Sequence, residues 1–397
     1  MKLDVFYEFC QTRPYQTQVG ADRLLYEEVL EQAVTADKAG FNCFWSVEHH
    51  GTPEVTHMPA PESFLTAVAM LTKRMRIGHS VRLAPYGFNH PIRLAEQAAV
   101  LDNLSNGRLN FGLGRSVPRE WLNFGVVAED TLPQLEETAR LLPRLWTEPY
   151  VVHKSEYLTI PRFELVPRVL QQPHPPMYMA CSSEDSFIKA GRWGIGAIGL
   201  VLQRPVSVFA ERVAKYREAI KTAEPVGKFI NNSCGAFTFV YCAETEEEAI
   251  HDGAPAAAAW YISKTAAHYS SVPRKAGDGG LDFEQAFLFS PEARVKALQQ
   301  LGDTPSTRVM IKLSLQQPVS NEEFYEAMGG EDQIIIGTPD QCIEKIRKYE
   351  AAGMDHLMCL VQGGPTLSHE NILKSLRLLG EKVIPAVADA PLPVPQG

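Results

Sequence analysis

Clusters of Lys and Arg are missing from this sequence, and its 38 basic residues are outnumbered by 47 acidic ones, for a formal charge of −9. Nucleic acid and anionic lipid are gripped by grouped cations, so neither is an expected partner. Cysteine is sparse: seven residues, an odd number, at 10, 43, 181, 234, 242, 342 and 359, with no Cys-x-x-Cys. That pattern excludes a disulfide framework and a zinc knuckle, and it fits reduced thiols in a cytoplasmic protein. Long apolar runs are absent too. No uncharged stretch is longer than Phe229 to Ala243, which carries two Asn and a Gly and falls short of the ~18 residues of a membrane span. Charges at Lys2, Asp4 and Glu8 sit where a signal peptide needs an apolar stretch. No metal-ligand spacing such as H-E-x-x-H occurs.

What is present is alternation. Leu3–Phe9, Asn42–Val47, Arg76–Leu83, Arg108–Leu113, Met177–Cys181, Gly196–Leu202, Gly235–Cys242 and His356–Val361 read as strands. Nearly all are followed by a stretch with apolar residues recurring every three to four positions, the period of one helix face. These helices are expected at 24–39, 61–73, 91–104, 132–146, 184–193, 206–222, 246–259 and 370–383. Thr338-Pro339-Asp340-Gln341 has the form of a capping box with Pro at the first helical position, which predicts a helix from about 339 to 351. Strand–helix units in series imply a parallel sheet, and eight of them favour a closed (β/α)8 TIM barrel, an α/β fold. One domain is expected over 1–390, with insertions at about 148–175 and 262–335 and a Pro-rich tail at 391–397. The first insertion is rich in proline and contains a hairpin-like Tyr150–His153 and Tyr157–Ile160. In the second, Ser271–Gly280 has the Gly, Pro and charge content of a loop, and 264–290 is a candidate lid.

A TIM barrel carries its chemistry where strands end, which directs attention to four motifs. Gly194-Ile195-Gly196-Ala197-Ile198-Gly199 spells G-x-G-x-x-G, but a helix precedes it and the glycines fall in a strand, the reverse of a dinucleotide site. Close helix–strand packing is the expected use of those glycines, and no nicotinamide domain is expected. Glu48-His49-His50 closes the second strand, where it serves acid–base chemistry or a hydrogen-bonded rim. Gly112-Leu113-Gly114-Arg115 closes the fourth, with open backbone and a permanently charged fork suited to a phosphate. Ser182-Ser183 opens a helix after the fifth strand, which makes either an ordinary N-cap or an anion site.

The order of these motifs resembles the bacterial luciferase-like flavin monooxygenases. The likeness runs from about residue 3 to 385 and rests on Gly40–His50, on Leu101-Asp102 with Ser105-Asn106-Gly107-Arg108 and Phe111–Arg115, on Trp260-Tyr261, and on Ile336–Cys342. The resemblance implies a (β/α)8 barrel, usually dimeric. It implies that His49 serves flavin activation and substrate deprotonation, with His50 a neighbour of lesser role. Ser80-Val81 lies where the family often has a non-proline cis peptide under the flavin ring. Arg115 and Ser183 match positions that hold the flavin phosphate, beside Gly114 and Ser182. The last two replace a reactive cysteine and a glutamate of luciferase and set this chain apart from light emission on a long-chain aldehyde. Tyr86, Phe88, Trp121, Trp260 and Tyr261 are candidates for the substrate pocket or, equally, for core. The implied function is a two-component monooxygenase. It would receive FMN as FMNH2 from a separate NAD(P)H:flavin reductase and use O2, through a flavin C4a-hydroperoxide, on a small organic substrate. Alternatives on the same fold are an F420-dependent hydride-transfer oxidoreductase and a non-catalytic flavin-binding subunit.

Overall fold

In the computed structural model, which describes residues 1–53, 55–201, 206–270, 291–300, 302–329 and 332–388, the alternating pattern closes into a ring. The strands are β1 (Lys2–Tyr7), β2 (Cys43–Ser46), β3 (Arg76–Leu83), β4 (Leu109–Gly114), β5 (Val151–Lys154), β6 (Thr159–Phe163), β7 (Met177–Ala180), β8 (Gly196–Leu200), β9 (Cys234–Cys242), β10 (Ile335–Gly337) and β11 (His356–Leu360). β1, β2, β3, β4, β7, β8, β9 and β11 pair in that order, all parallel, and β11 returns to β1. These eight are the strands that the alternation predicts. The barrel is a TIM-type fold, and β5–β6 form the antiparallel hairpin of the proline-rich excursion. No helix among the described residues is long and apolar enough to cross a membrane.

Several elements differ from the sequence expectation. The segment at 246–259 is two helices, Glu246–His251 and Ala254–Ser270, broken at Gly253. There φ is +78°, and a Cβ would lie 2.8 Å from Thr366, so the chain turns where no other side chain fits. Ile335–Gly337 is a short strand that extends the sheet beside the end of β9. Helices Pro291–Gln299, Pro305–Ser314 and Asn321–Gly329 pack with Ala254–Ser270 in the second excursion. The Ser271–Gly280 loop, most of the candidate lid at 264–290 and the 391–397 tail lie outside the described residues. The capping box at Thr338 is present, with Gln341 Oε1 accepting from the Thr338 amide at 2.9 Å. The G-x-G-x-x-G glycines pack: a Cβ on Gly199 would sit 2.4 Å from Phe209 and 2.9 Å from Phe187, on the two flanking helices.

Side chains of alternate strand residues fill the barrel. Phe6 of β1 stacks on Phe237 of β9 at 4.3 Å, and Trp45 of β2 meets Tyr178 of β7 edge-on at 5.2 Å. Neither pair belongs to neighbouring strands, so both contacts cross the interior. At the N-terminal end the plug is polar. Asp4 is buried and accepts from Trp45 Nε1 and Asn42 Nδ2, each at 2.7 Å, with His356 Nδ1 also at 2.7 Å. Three glycines make room for the rings: a Cβ on Gly78, Gly196 or Gly235 would lie 2.2–2.3 Å from Trp45, Tyr178 or His356. This end is filled, which leaves the C-terminal mouth for a ligand.

Candidate active site

Glu48, His49 and His50 lie just beyond β2, and the fold brings two further carboxylates, Glu120 and Glu8, to them. His49 Nδ1 lies 2.9 Å from Glu120 Oε1, and the His50 amide donates to the same oxygen at 2.7 Å. Ser116 Oγ donates to Glu120 Oε2. Burial opposes charge on His49, but Glu120, helped by Glu8 and Glu48, overcomes it and raises the imidazole to about 9. Burial would push Glu120 up as well, yet His49, Ser116 and the His50 amide draw it down to about 2. The two therefore form an ion pair at neutral pH.

Glu48 has partners different from those of His49. It pairs with Arg82 at 3.0 Å, and accepts from the Leu83 amide at 3.0 Å and Asn89 Nδ2 at 2.9 Å. Burial pushes this carboxyl up, but Arg82 and the hydrogen bonds leave it below the usual range. Glu8, just beyond β1 on the inward-facing register, accepts from Tyr261 Oη at 2.9 Å. Burial pushes its carboxyl above the ordinary value against the pull of His49.

Four sequence candidates surround this centre. His50 stacks on Phe88 at 5.9 Å and meets Phe124 at 4.8 Å, an apolar wall beside the histidines. Tyr261 is fully buried and acts through Glu8, so it holds a carboxyl rather than lining open space. Trp121 donates from Nε1 to the Arg115 carbonyl at 2.6 Å and fixes the turn after β4. Two candidates stand elsewhere. Tyr86 donates to Glu137 at 2.5 Å, the carboxylate that also meets His153 of β5 at 2.5 Å. It ties the hairpin to helix Thr131–Thr147, at a cleft of about 580 Å³ outside the barrel. Trp260 packs against Gly364, with Lys264 over its ring at 5.5 Å.

The predicted phosphate groups converge by topology. β4 and β7 are neighbours, with Leu113 opposite Met179, so Arg115 and Ser182-Ser183 leave adjacent strand ends. All three are exposed. Arg115 contacts Thr131 Oγ1 at 3.4 Å and has no carboxylate partner among the described residues. Ser183 caps helix Glu184–Arg192, accepting from the Ser186 amide at 3.3 Å. Glu184, which would repel an anion there, is turned to Lys215 at 2.5 Å. Arg212, not anticipated from the sequence, donates to the Ser182 carbonyl at 3.3 Å and adds positive charge. A guanidinium with no carboxylate partner among the described residues, beside a helix N-terminus, fits one phosphate. Between these groups and His49, the Ser80–Val81 peptide is cis and both residues are half-buried. Gly114 has a packing role here: a Cβ would lie 2.3 Å from Val81 Cγ2, so the glycine seats Val81 rather than leaving room for a ligand.

Glu120 and Glu8 escaped the sequence reading. Pro118 at the start of helix Pro118–Asn123 was a usable sign of that helix, but nothing local points its third residue at His49.

Residues 1–356 match the family described as luciferase-like monooxygenase. The chain is 27% identical to the oxygenase component of a flavin-dependent trigonelline monooxygenase from Acinetobacter baylyi, over 98% of this chain and 96% of the relative. It is 25% identical to an F420-dependent glucose-6-phosphate dehydrogenase from Amycolatopsis mediterranei, over 91% and 98%. Among solved structures, the oxygenating constituent of 3,6-diketocamphane monooxygenase from Pseudomonas putida, in complex with FMN, superposes with a TM-score of 0.71 at 16% identity. That match covers 97% of this chain and 98% of the other.

Proposed function

The chain belongs to the luciferase-like monooxygenase family, and on that premise we propose that it is the oxygenase of a two-component system. It would take reduced FMN from a separate NAD(P)H:flavin reductase and use O2 to oxygenate a small organic substrate. The observation that carries this reading is the pairing of Arg115, which has no carboxylate partner among the described residues, with the helix N-terminus at Ser183, on strand ends adjacent to the half-buried Ser80–Val81. One phosphate with a planar ring beside it is the chemistry those residues suit. A relative named as an oxygenase component supports the reductase partner.

Reduced FMN, when bound, supplies the two electrons that activate O2. The remaining work falls to this chain. Arg115, Ser183 and the amides of helix Glu184–Arg192 would bind the phosphate and fix the flavin's position. His49, charged at neutral pH, suits a proton donor and a stabiliser of negative charge better than a base. Phe88 and Phe124 would keep water from the reacting groups.

The test is to mix the protein and reduced FMN anaerobically, add O2, and follow flavin reoxidation with wild type and His49→Ala. The reading requires a rate different from that of free reduced FMN and sensitive to the substitution. Identical traces for the free flavin and both proteins defeat it. The F420-dependent relative favours a second reading, hydride transfer with F420, which competitive titration of the two cofactors separates.

A further inference from the structure

We propose that Glu120 is the positioning residue of His49, fixing its ring through Nδ1 and keeping the proton-exchanging role for Nε2. The inference rests on the proposed acid–base role of His49 and deepens it.

The geometry singles out Glu120 among the groups that face His49. Among the described residues the carboxylates are Glu120 on helix Pro118–Asn123, Glu8 beyond β1 and Glu48, the histidine's neighbour beyond β2. Glu48 is committed to Arg82, Leu83 and Asn89. Glu8 takes the Tyr261 hydroxyl, and burial disfavours its charge. Glu120 alone among the three has a ring contact, at 2.9 Å. It is also held from both sides, Oε1 taking the His50 amide and Oε2 the Ser116 hydroxyl. A carboxylate anchored at both oxygens cannot follow the imidazole, so the imidazole must adopt the orientation the carboxylate sets.

The arrangement has a second consequence. Ser116 has φ of +69°, and Trp121 donates to the carbonyl of Arg115. The short helix that presents Glu120 to His49 therefore also shapes the turn that carries the phosphate-facing arginine. Glu120 is fully buried behind His49, so its effect on the reaction would pass through His49.

The experiment uses the full chain with labelled histidine and reads the His49 ring nitrogens by NMR across pH, without flavin. In wild type, His49 should be charged at neutral pH and lose its proton near 9. In Glu120→Gln the midpoint should fall towards the ordinary 6.5, with Glu120→Asp restoring part of the difference. The high-pH limb of flavin reoxidation should move down by the same interval, and Glu120→Gln should have no further effect in a His49→Ala background. A wild-type midpoint at the ordinary value overturns the proposal, as does an unmoved midpoint in a folded Glu120→Gln. If Glu120→Gln does not fold, the wild-type titration decides. The NMR result stands whether or not the protein oxidises flavin, so failure of this link is distinct from failure of the monooxygenase reading.

Discussion

Glu120 and His49 are 71 positions apart, on the short helix that follows β4 and the loop that follows β2, yet their side chains meet at 2.9 Å. The contact ties two strand ends at the mouth of the barrel and gives the fold a pH-dependent element. His49 in the folded chain, at about 9, lies above its ordinary 6.5. Its stabilisation is complete below pH 6.5 and is lost as pH rises through about 9. Glu120, at about 2, lies below its ordinary 4.5, so its contribution is complete above pH 4.5 and lost as pH falls through about 2. Thermal melts of wild type and Glu120→Gln should therefore differ most between pH 4.5 and 6.5, and the gap should narrow as pH rises towards 9. A gap that stays constant with pH would mean the pair is not ionised as described.

The polar plug at the closed end should be sensitive to single atoms. Asp4→Ala leaves the Trp45, Asn42 and His356 donors buried without their acceptor, a loss of about 3 kcal/mol or more. Gly78→Ala drives a methyl to 2.2 Å from the Trp45 ring, and overpacking against a rigid indole costs about 3 kcal/mol. Urea unfolding should report both. Neither site touches the mouth, so any folded fraction should bind flavin normally.

Gly114→Ala should behave in the opposite way. Its methyl would meet Val81 Cγ2 at 2.3 Å, so the half-buried Val81 would have to shift. We expect a small change in stability and roughly tenfold weaker FMN binding, about 1.4 kcal/mol, read by flavin fluorescence. Unchanged affinity would remove Val81 from the proposed flavin seat.

Self-association is the proposed state in solution. Met70 and Leu71 on helix Pro61–Leu71, and Val100 and Leu104 on the adjoining Pro91–Leu104, are large apolar side chains exposed to solvent. Grouped in this way they favour a second copy of the chain as cover. Light scattering should give the mass of two chains for wild type and of one for Leu104→Glu. A wild-type mass of one chain would contradict this.

Much of the barrel was legible because burial imposes a period. Val5, Phe44, Ile77, Leu109 and Leu357 sit in short apolar runs whose spacing needs no partner to be recognised. The strand-end rule then pointed to His49, Arg115 and Ser183. What escaped depends on distant approach. Glu120 lies in a helix of six residues, too short to show a period, and its role exists only once β2 and β4 stand two strands apart in the ring. Tyr86 failed for the converse reason, since an aromatic near a strand end looks the same whether it faces the mouth or, as here, Glu137 on the outer helix. Gly114 looked like space for a ligand because sequence cannot show that Val81 fills it.

The central claim is that one flavin phosphate is held between Arg115 and the helix that Ser183 caps. Equilibrium titration of wild type and Arg115→Ala with FMN, riboflavin and F420 tests it most directly. Wild type should bind FMN at least roughly tenfold more tightly than riboflavin, the effect of about 1.5–3 kcal/mol from a charge-assisted contact. F420 should bind more weakly than FMN, and Arg115→Ala should erase the preference for FMN over riboflavin. Equal affinity of wild type for FMN and riboflavin, or tighter binding of F420, would contradict the account.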